Sequence, residues 1–204
     1  MNIVRNMIIS AIVLALFAIT GTFFVSFTYD NTIDRINENK RHAILKAFHV
    51  LISPEIYDND IFNDIIQKQN KSLLGSKNPI TIYRARKENK PVAVIISSVA
   101  PDGYNGNIEL LVAVNYDGNL AGVRVVGHKE TPGLGDAIEE SRSDWITKFE
   151  EKSLTNPDKK GWAVKRDGGV FDQFTGATIT PRAIVKAVYN TLRYYKEHRD
   201  TLYE

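Results

Sequence analysis

A hydroxyl-rich run of small residues near the C-terminus contains the residue types that hold anionic groups. The run covers residues 172–181 and carries Thr175, Thr178 and Thr180. Thr180 followed by Pro181 predicts a helix start, because a threonine hydroxyl accepts a hydrogen bond from an unpaired N–H and proline fits the first helical position. Exposed N–H groups and the positive end of the helix dipole favour phosphate or another anion beside Thr178. Without a ligand, the same run is an ordinary capping loop.

The residues after Pro181 predict the helix that positions this run. Small and apolar side chains recur at helical spacing and predict one buried stripe, formed by Ile184, Ala187, Val188, Thr191, Leu192 and Tyr195. Gly176 and Ala177 leave space beside the backbone for a bulky ligand. A hydrolase nucleophile at Thr178 is disfavoured, because the run lacks the Gly-x-Ser-x-Gly elbow and the sequence pairs no base with it.

Two glycine-containing loops lie upstream of the threonine run. Residues 103–106 read Gly-Tyr-Asn-Gly, and residues 127–135 read Gly-His-Lys-Glu-Thr-Pro-Gly-Leu-Gly. Loops at strand ends often carry function, although Pro-Gly and Gly-x-Gly also mark ordinary turns. Neither loop has the Gly-x-Gly-x-x-Gly pattern of a dinucleotide site. His128, within the second loop, is expected to be structural.

Runs of β-forming residues separated by turn signals predict an antiparallel sheet in the middle of the chain. The expected strands cover residues 80–84, 92–99, 108–114 and 120–126. Asp117-Gly118 is a favoured hairpin turn between the last two. The spacing after the sheet predicts a helix over 136–149 and one more strand at 162–165. Before the sheet, residues 56–78 read as a polar connector with a short amphipathic piece around Ile61, Phe62, Ile65 and Ile66.

Residues 7–27 are apolar or small and carry no charge. As a helix they would span about 30 Å, which matches the core of a bilayer. A cleaved signal peptide is the competing interpretation, but no Ala-x-Ala-like cleavage site is evident. We therefore expect a signal anchor, followed by an amphipathic helix over 31–51 that Pro54 ends. His42 and His49 lack the further ligands that a metal site requires, so both are expected to be surface or packing residues.

The composition limits the classes of function. With 204 residues, 43% hydrophobic, the chain can hold one medium domain with a real core plus appendages. The formal net charge is only +2 and like charges do not cluster, so nucleic acid is not expected as a partner. The absence of cysteine excludes disulfides and cysteine-ligated clusters. Any electron transfer would therefore need an organic cofactor.

The three loops together resemble the FMN-binding domain family. Members of that family carry a similar Gly-Tyr-x-Gly, then His-x-Glu-Thr-Pro-Gly-Leu-Gly, then a Thr-Gly-Ala-Thr motif preceded by an aspartate, and the order and spacing match from Gly103 to Thr180. In the family, the second hydroxyl residue of the motif carries FMN through a phosphoester bond. That residue is Thr178 here, so the resemblance implies covalent FMN as the cofactor.

The resemblance also implies which residues surround FMN. Glu130, Thr131 and Leu134 are expected against the isoalloxazine ring or the ribityl chain, and backbone N–H groups of the turn at Gly133 are candidates to donate to the ring. The other residues expected at the site are Tyr104, Gly106, Lys165, Thr175, Gly176, Ala177, Ile179 and Thr180. Two assignments keep an alternative, namely Glu130 as a surface carboxylate and Lys165 as a solvated edge residue.

The whole chain is similar to the RnfG (RsxG) family, whose members are subunits of Rnf (Rsx) ion-translocating electron transport complexes. A related flavin-carrying subunit of the sodium-pumping NADH:quinone reductase shares the anchor and the flavin motif but is generally longer. The resemblance implies an α+β protein with four parts: a cytoplasmic head (1–6), a transmembrane helix (7–27), a helical stalk and connector (28–78), and an FMN-binding domain (79–204) in which helices flank an antiparallel sheet.

The implied function is a membrane-anchored electron carrier in a bacterial inner membrane, with the FMN domain on the periplasmic side. The expected partners are other Rnf/Rsx subunits, a flavin transferase and membrane lipid. NADH oxidation and ion passage are expected in other subunits, because this chain lacks the Rossmann and Walker patterns and its apolar segment contains no ionisable residue. The alternative is a membrane-tethered binding or scaffold module without redox chemistry.

Overall fold

The computed structural model describes residues 2–204, except for the side chains at positions 2, 37, 40, 41 and 43. The chain divides after Ala43 into two compact units, which are described separately below.

The first unit consists of the greater part of helix α1, which covers Asn2–Leu51. Its stretch Ile3–Ile36 is long and apolar enough to cross a membrane, by length and composition. The predicted anchor and the predicted amphipathic helix are thus one continuous element. The helix continues through the polar residues at their junction, where Thr28 Oγ1 and Asn31 Nδ2 each donate to a carbonyl one turn earlier, at 2.8 Å. The helix ends just before Pro54, as predicted.

The second unit is built on a five-stranded antiparallel meander, which confirms the predicted sheet. Its strands are β1 (Ile65–Lys68), β2 (Ile80–Lys87), β3 (Lys90–Gly103), β4 (Gly106–Asn115) and β5 (Leu120–Gly127). The part that reads as a connector supplies the edge strand β1, in which Ile65 and Ile66 pair with β2. A short helix α2 (Lys71–Leu74) follows, and the last helix, α3, covers Ile179–Leu202.

Helices cover both faces of the sheet. Alternate side chains such as Val94, Ile96 and Val112 face a core that includes α3, whereas Ile95 and Leu111 face a second core that includes the last turns of α1. Because both faces are buried, the central strands read as nearly continuous apolar runs rather than as alternating ones. The buried stripe predicted for α3 is confirmed in full, since each of its six residues is buried.

The segment between β5 and α3 differs most from the prediction. The expected helix over 136–149 is wrong: two 3₁₀ turns, Gly135–Ile138 and Trp145–Phe149, stand in its place. Ser143 interrupts the helical pattern, because its hydroxyl donates to Ala137 O and accepts from Trp145 N, replacing helical hydrogen bonds.

The expected strand at 162–165 is also wrong. Val164 forms a single bridge with Phe171, and the chain then enters a 3₁₀ turn at Lys165–Asp167. Trp162 and Val164 are both buried outside the sheet, and the Trp162 ring lies in an aromatic cluster with Phe149 and Phe171. Alternating burial there reflects packing of an irregular loop.

Candidate functional site

A cleft of about 340 Å³ opens beside the start of α3. Its walls come from the β3–β4 turn, the loop after β5 and the threonine run: Tyr104, Glu130, Thr131, Leu134, Gly135, Gly176, Ala177, Thr178, Ile179 and Thr180. The volume falls in the range of small-molecule sites. A larger cleft of about 470 Å³ between the β4–β5 turn and the C-terminal part of α3 contains none of the predicted site residues.

The tertiary structure brings most of the predicted site residues into this cleft, but four do not line it. Gly106 completes the β3–β4 turn with a φ of 111°, and the exposed Thr175 lies in a tight turn closed by Phe174 and Ala177. Gly133 donates its N–H to Asp136 Oδ1 at 2.8 Å. The ammonium of Lys165 is held by Asp172 Oδ1 at 2.5 Å, so its placement beside the flavin ring is not supported.

The helix start differs from the prediction by two residues. Helix α3 begins at Ile179, with Thr178 rather than Thr180 at the cap position. The Thr178 side chain makes no capping hydrogen bond, and no other partner for its hydroxyl occurs among the residues that the structure describes. Thr178 is half-buried in the cleft wall. Its hydroxyl therefore lies at a helix N-terminus without serving the helix.

The hydroxyl predicted to cap the helix has a different partner. Thr180 Oγ1 donates to Glu130 Oε2, and the other carboxylate oxygen accepts from Asn105 N at 3.0 Å. Glu130 is only 4% exposed, which excludes the interpretation as a surface carboxylate. The side chain joins the β3–β4 turn, the loop after β5 and the first turn of α3. It thus ties the three walls of the cleft together.

His128 supports Glu130 from behind. Its Nδ1 accepts a hydrogen bond from Glu130 N at 3.0 Å, and its Nε2 lies 2.7 Å from Glu139 Oε1. Because Nδ1 is an acceptor, the imidazole proton resides on Nε2 and points to the carboxylate. This contact agrees with the predicted structural role.

The loop after Glu130 uses its own N–H groups. Leu134 N and Gly135 N both donate to Thr131 O, at 3.1 and 3.0 Å. Together with the bond from Gly133 to Asp136, these contacts hold the loop closed, and the N–H groups of Gly133, Leu134 and Gly135 are occupied within it. Its contribution to the cleft is the apolar, partly exposed side chain of Leu134.

Three exposed apolar side chains border the cleft. Tyr104 is 65% exposed, Leu134 46% and Ile179 45%. Exposed apolar groups grouped around a cleft are typical of a surface that a flat organic ligand covers.

The threonine run is anchored from outside the cleft. Trp145 Nε1 donates to Asp172 O at 2.8 Å, and the Trp145 ring packs edge-on against Phe174. Lys165 donates to the Asp172 carboxylate, and this hydrogen bond lowers the pKa of Asp172 below its usual value. These contacts fix the backbone that leads to Thr178 without using any atom of the cleft.

Sequence reasoning missed Gly135, whose lack of a side chain allows the close contact between Glu130 and Thr180. A Cβ at this position would lie 2.9 Å from Glu130 Cβ and 3.1 Å from Thr180 Oγ1. The Gly-x-Gly at 133–135 was the available signal, but glycines also mark ordinary turns.

We expect Gly135→Ala to displace Glu130 and to destabilise the fold by about 1–3 kcal/mol, as overpacking does. Retained FMN should also fall when the variant is co-expressed with a flavin transferase. Gly21→Ala is the control, because an added Cβ there meets nothing within 4 Å and the glycine is not at a positive φ. Equal FMN content in the two variants would contradict the role assigned to Gly135.

Comparison with known proteins agrees with this geometry. The FMN-binding domain model matches residues 103–193, which include every residue of the cleft wall. The RnfG N-terminal region model matches residues 1–51. One similar protein is the subunit named G of the ion-translocating oxidoreductase complex in Pseudomonas aeruginosa, 48% identical over 97% of this chain and 92% of that protein.

The corresponding protein of Shewanella oneidensis is 46% identical over 97% of this chain and 93% of its own length. The chain belongs to the RnfG family of ion-translocating oxidoreductase complexes. The N-terminal match of this family ends at Leu51, where α1 ends. A further RnfG relative, from Aliivibrio fischeri, is 44% identical over 95% of the chain and 92% of its own length.

The cleft of this RnfG protein fits FMN in two respects. Its exposed apolar border suits a flat ring system, whereas the start of α3 suits a phosphate. Gly176 leaves the space between these regions open, because it has no side chain. A Cβ added there would have only Leu134 Cδ2 within 4 Å. The φ of Gly176 is 80°, a value that favours glycine.

Proposed function

We propose that this chain relays electrons through FMN attached by a phosphoester to Thr178, as a membrane-anchored subunit of an ion-translocating oxidoreductase complex. The observation that carries the proposal is the Thr178 hydroxyl, which lines the cleft at the N-terminus of α3 and makes no capping bond. Membership of the RnfG family and the FMN-binding domain match support it.

Residues of this chain supply the groups that would hold FMN. A phosphodiester on Thr178 keeps a negative charge, which the first N–H groups of α3 stabilise. Leu134, Tyr104 and Ile179 offer apolar surface to the ring. Bound FMN supplies one- and two-electron redox chemistry that no side chain of this chain provides.

The proposed role is that of a carrier. The residues that the structure describes contain no group of three or more His, Asp or Glu side chains that could hold a metal ion. NADH oxidation and ion passage are assigned to other subunits of the complex. Attachment of FMN requires a flavin transferase, because the Thr178 hydroxyl is hydrogen-bonded to no base among the described residues and an unactivated threonine does not form the ester by itself.

Helix α1 is proposed as the membrane anchor, with the FMN domain on the periplasmic side of the inner membrane. The absence of native cysteine gives a direct test of this orientation, since a single Lys159→Cys substitution introduces the only thiol. A membrane-impermeant maleimide should label that exposed position in intact spheroplasts. Labelling only after the cells are lysed would place the domain in the cytoplasm.

Charge in the apolar segment should weaken anchoring. Each arginine at the centre of a membrane helix costs about 2.5–3.5 kcal/mol, so the double variant Ala15→Arg/Ala18→Arg is expected to leave the membrane fraction on alkaline carbonate extraction. The control is Ala15→Leu/Ala18→Leu, which changes side-chain size without charge and should stay in the membrane. Full retention of the arginine variant would contradict membrane insertion of this segment.

The function itself is tested by co-expressing the full-length chain with a flavin transferase. We expect a band that fluoresces under ultraviolet light on a denaturing gel, and an FMN phosphoester on the peptide that contains Thr178 by mass spectrometry. A dark band of unmodified mass, with the transferase active on a control substrate, would reject covalent FMN and leave a membrane-tethered binding module.

A further inference from the structure

Glu130 is a buried carboxylate in the wall of the cleft without a basic partner among the described residues. Its two oxygens accept hydrogen bonds from the Asn105 N–H and the Thr180 hydroxyl, which are both uncharged donors. Other acidic side chains of the domain do have basic partners: Asp172 is paired with Lys165, and Glu140 is paired with Arg124. The negative charge of Glu130 is therefore stabilised locally but not neutralised.

The negative charge of Glu130 repels any further negative charge in the same cleft. Two-electron reduction of a flavin with uptake of one proton adds one negative charge to the ring. Repulsion between like charges is much stronger in a partly buried site than in water, because the effective dielectric constant is lower. The oxidised state is therefore favoured over the reduced state by a carboxylate in the wall.

We propose that Glu130 is a positioning residue that also holds down the reduction potential of FMN bound in this cleft. The inference rests on the proposed function, since it presupposes FMN in this cleft. It assigns to Glu130 an electrostatic role in addition to the contact with Asn105 and Thr180. The two donors fix the carboxylate in place, so that its charge acts on the cleft from one position.

The test uses the full-length chain, co-expressed with a flavin transferase, in three forms: wild type, Glu130→Gln and Glu130→Asp. Flavin attachment is first established by in-gel fluorescence and mass spectrometry. The reduction potential is then measured spectroscopically by dithionite titration against a reference dye. The glutamine keeps the shape and removes the charge, whereas the aspartate keeps the charge on a shorter side chain.

We expect Glu130→Gln to shift the equilibrium at least tenfold towards reduced FMN, about 30 mV for a two-electron couple. Glu130→Asp should remain closer to wild type than to the glutamine variant. The remote control is Glu55→Gln, which removes the same charge at the other end of the sheet. Glu55 O accepts from Lys87 Nζ there, and β3 separates that end from the cleft by on the order of 40 Å. Its potential should equal that of wild type.

The outcomes separate the two proposals. A wild-type chain without flavin would reject the proposed function. A loaded Glu130→Gln variant with an unchanged or lowered potential would overturn the electrostatic role alone. If the glutamine variant stays unloaded, Glu130→Ala replaces it in the same titration. Failure of both charge-free variants to load, with normal loading of Glu130→Asp, would also overturn the inference, because Glu130 would then serve only to assemble the site.

Discussion

Thr178→Ala is expected to abolish covalent FMN while the protein remains folded. The ester requires the threonine oxygen, so fluorescence on a denaturing gel should fall to background after co-expression with a flavin transferase. A threonine that caps a helix stabilises it by about 0.5–2 kcal/mol, but Thr178 makes no such bond. We therefore expect the free energy of unfolding to change by less than about 0.5 kcal/mol.

Thr175→Ala is the matched control for this prediction. It removes a hydroxyl from the same run, at an exposed position outside the cleft wall. The variant should retain the FMN phosphoester on the peptide that contains Thr178. Covalent flavin on Thr178→Ala would refute the assignment of the attachment site, and an unfolded Thr178→Ala protein would contradict the structural argument.

Phe149→Ala is expected to produce the largest loss of stability. Phe149 is completely buried, stacks on Phe171 at 4.6 Å between ring centroids and meets Trp145 edge-on at 5.3 Å. Removing a buried phenylalanine ring costs about 3–5 kcal/mol, because burial is lost and a cavity remains. Domains of this size are stable by only about 5–15 kcal/mol, so a large share of the folding free energy would be lost.

Urea unfolding of the compact unit Ile44–Glu204 measures this effect, with Trp145 and Trp162 as fluorescent probes beside the mutated ring. Tyr104→Ala serves as the control, since that ring is 65% exposed and its loss should change stability by less than about 0.5 kcal/mol. A similar midpoint for the two variants would show that the aromatic cluster does not hold the loop segment in place.

The sheet and the long helices could be predicted because their signals are local. The β4–β5 hairpin has Asp117-Gly118 at its turn, and the stripe on α3 repeats at helical spacing over residues 184–195. The edge strand β1 was harder, since only four residues pair and two of them, Gln67 and Lys68, are polar. Residues 136–149 show helical spacing without a helix, because periodicity reports which side chains are buried and does not report which backbone hydrogen bonds form.

For the candidate site, too, the sequence predicted some features and the fold decided others. Sequence motifs identified Thr178, Glu130 and Leu134, and the structure places all three in one cleft. The sequence alone assigned the capping role to Thr180, because Thr-Pro is a strong local signal of a helix start. The fold directs that hydroxyl to Glu130 instead and leaves Thr178 at the cap position without a capping bond.

The sequence by itself determined the apolar N-terminal segment, the antiparallel sheet, the last helix and the loops that carry the motifs. Only the tertiary structure decided how these loops meet. The contacts that assemble the cleft join Glu130 to Asn105, 25 residues away, and to Thr180, 50 residues away. Periodicity and turn preferences act over a few residues, whereas contacts at these separations depend on how the sheet and α3 pack.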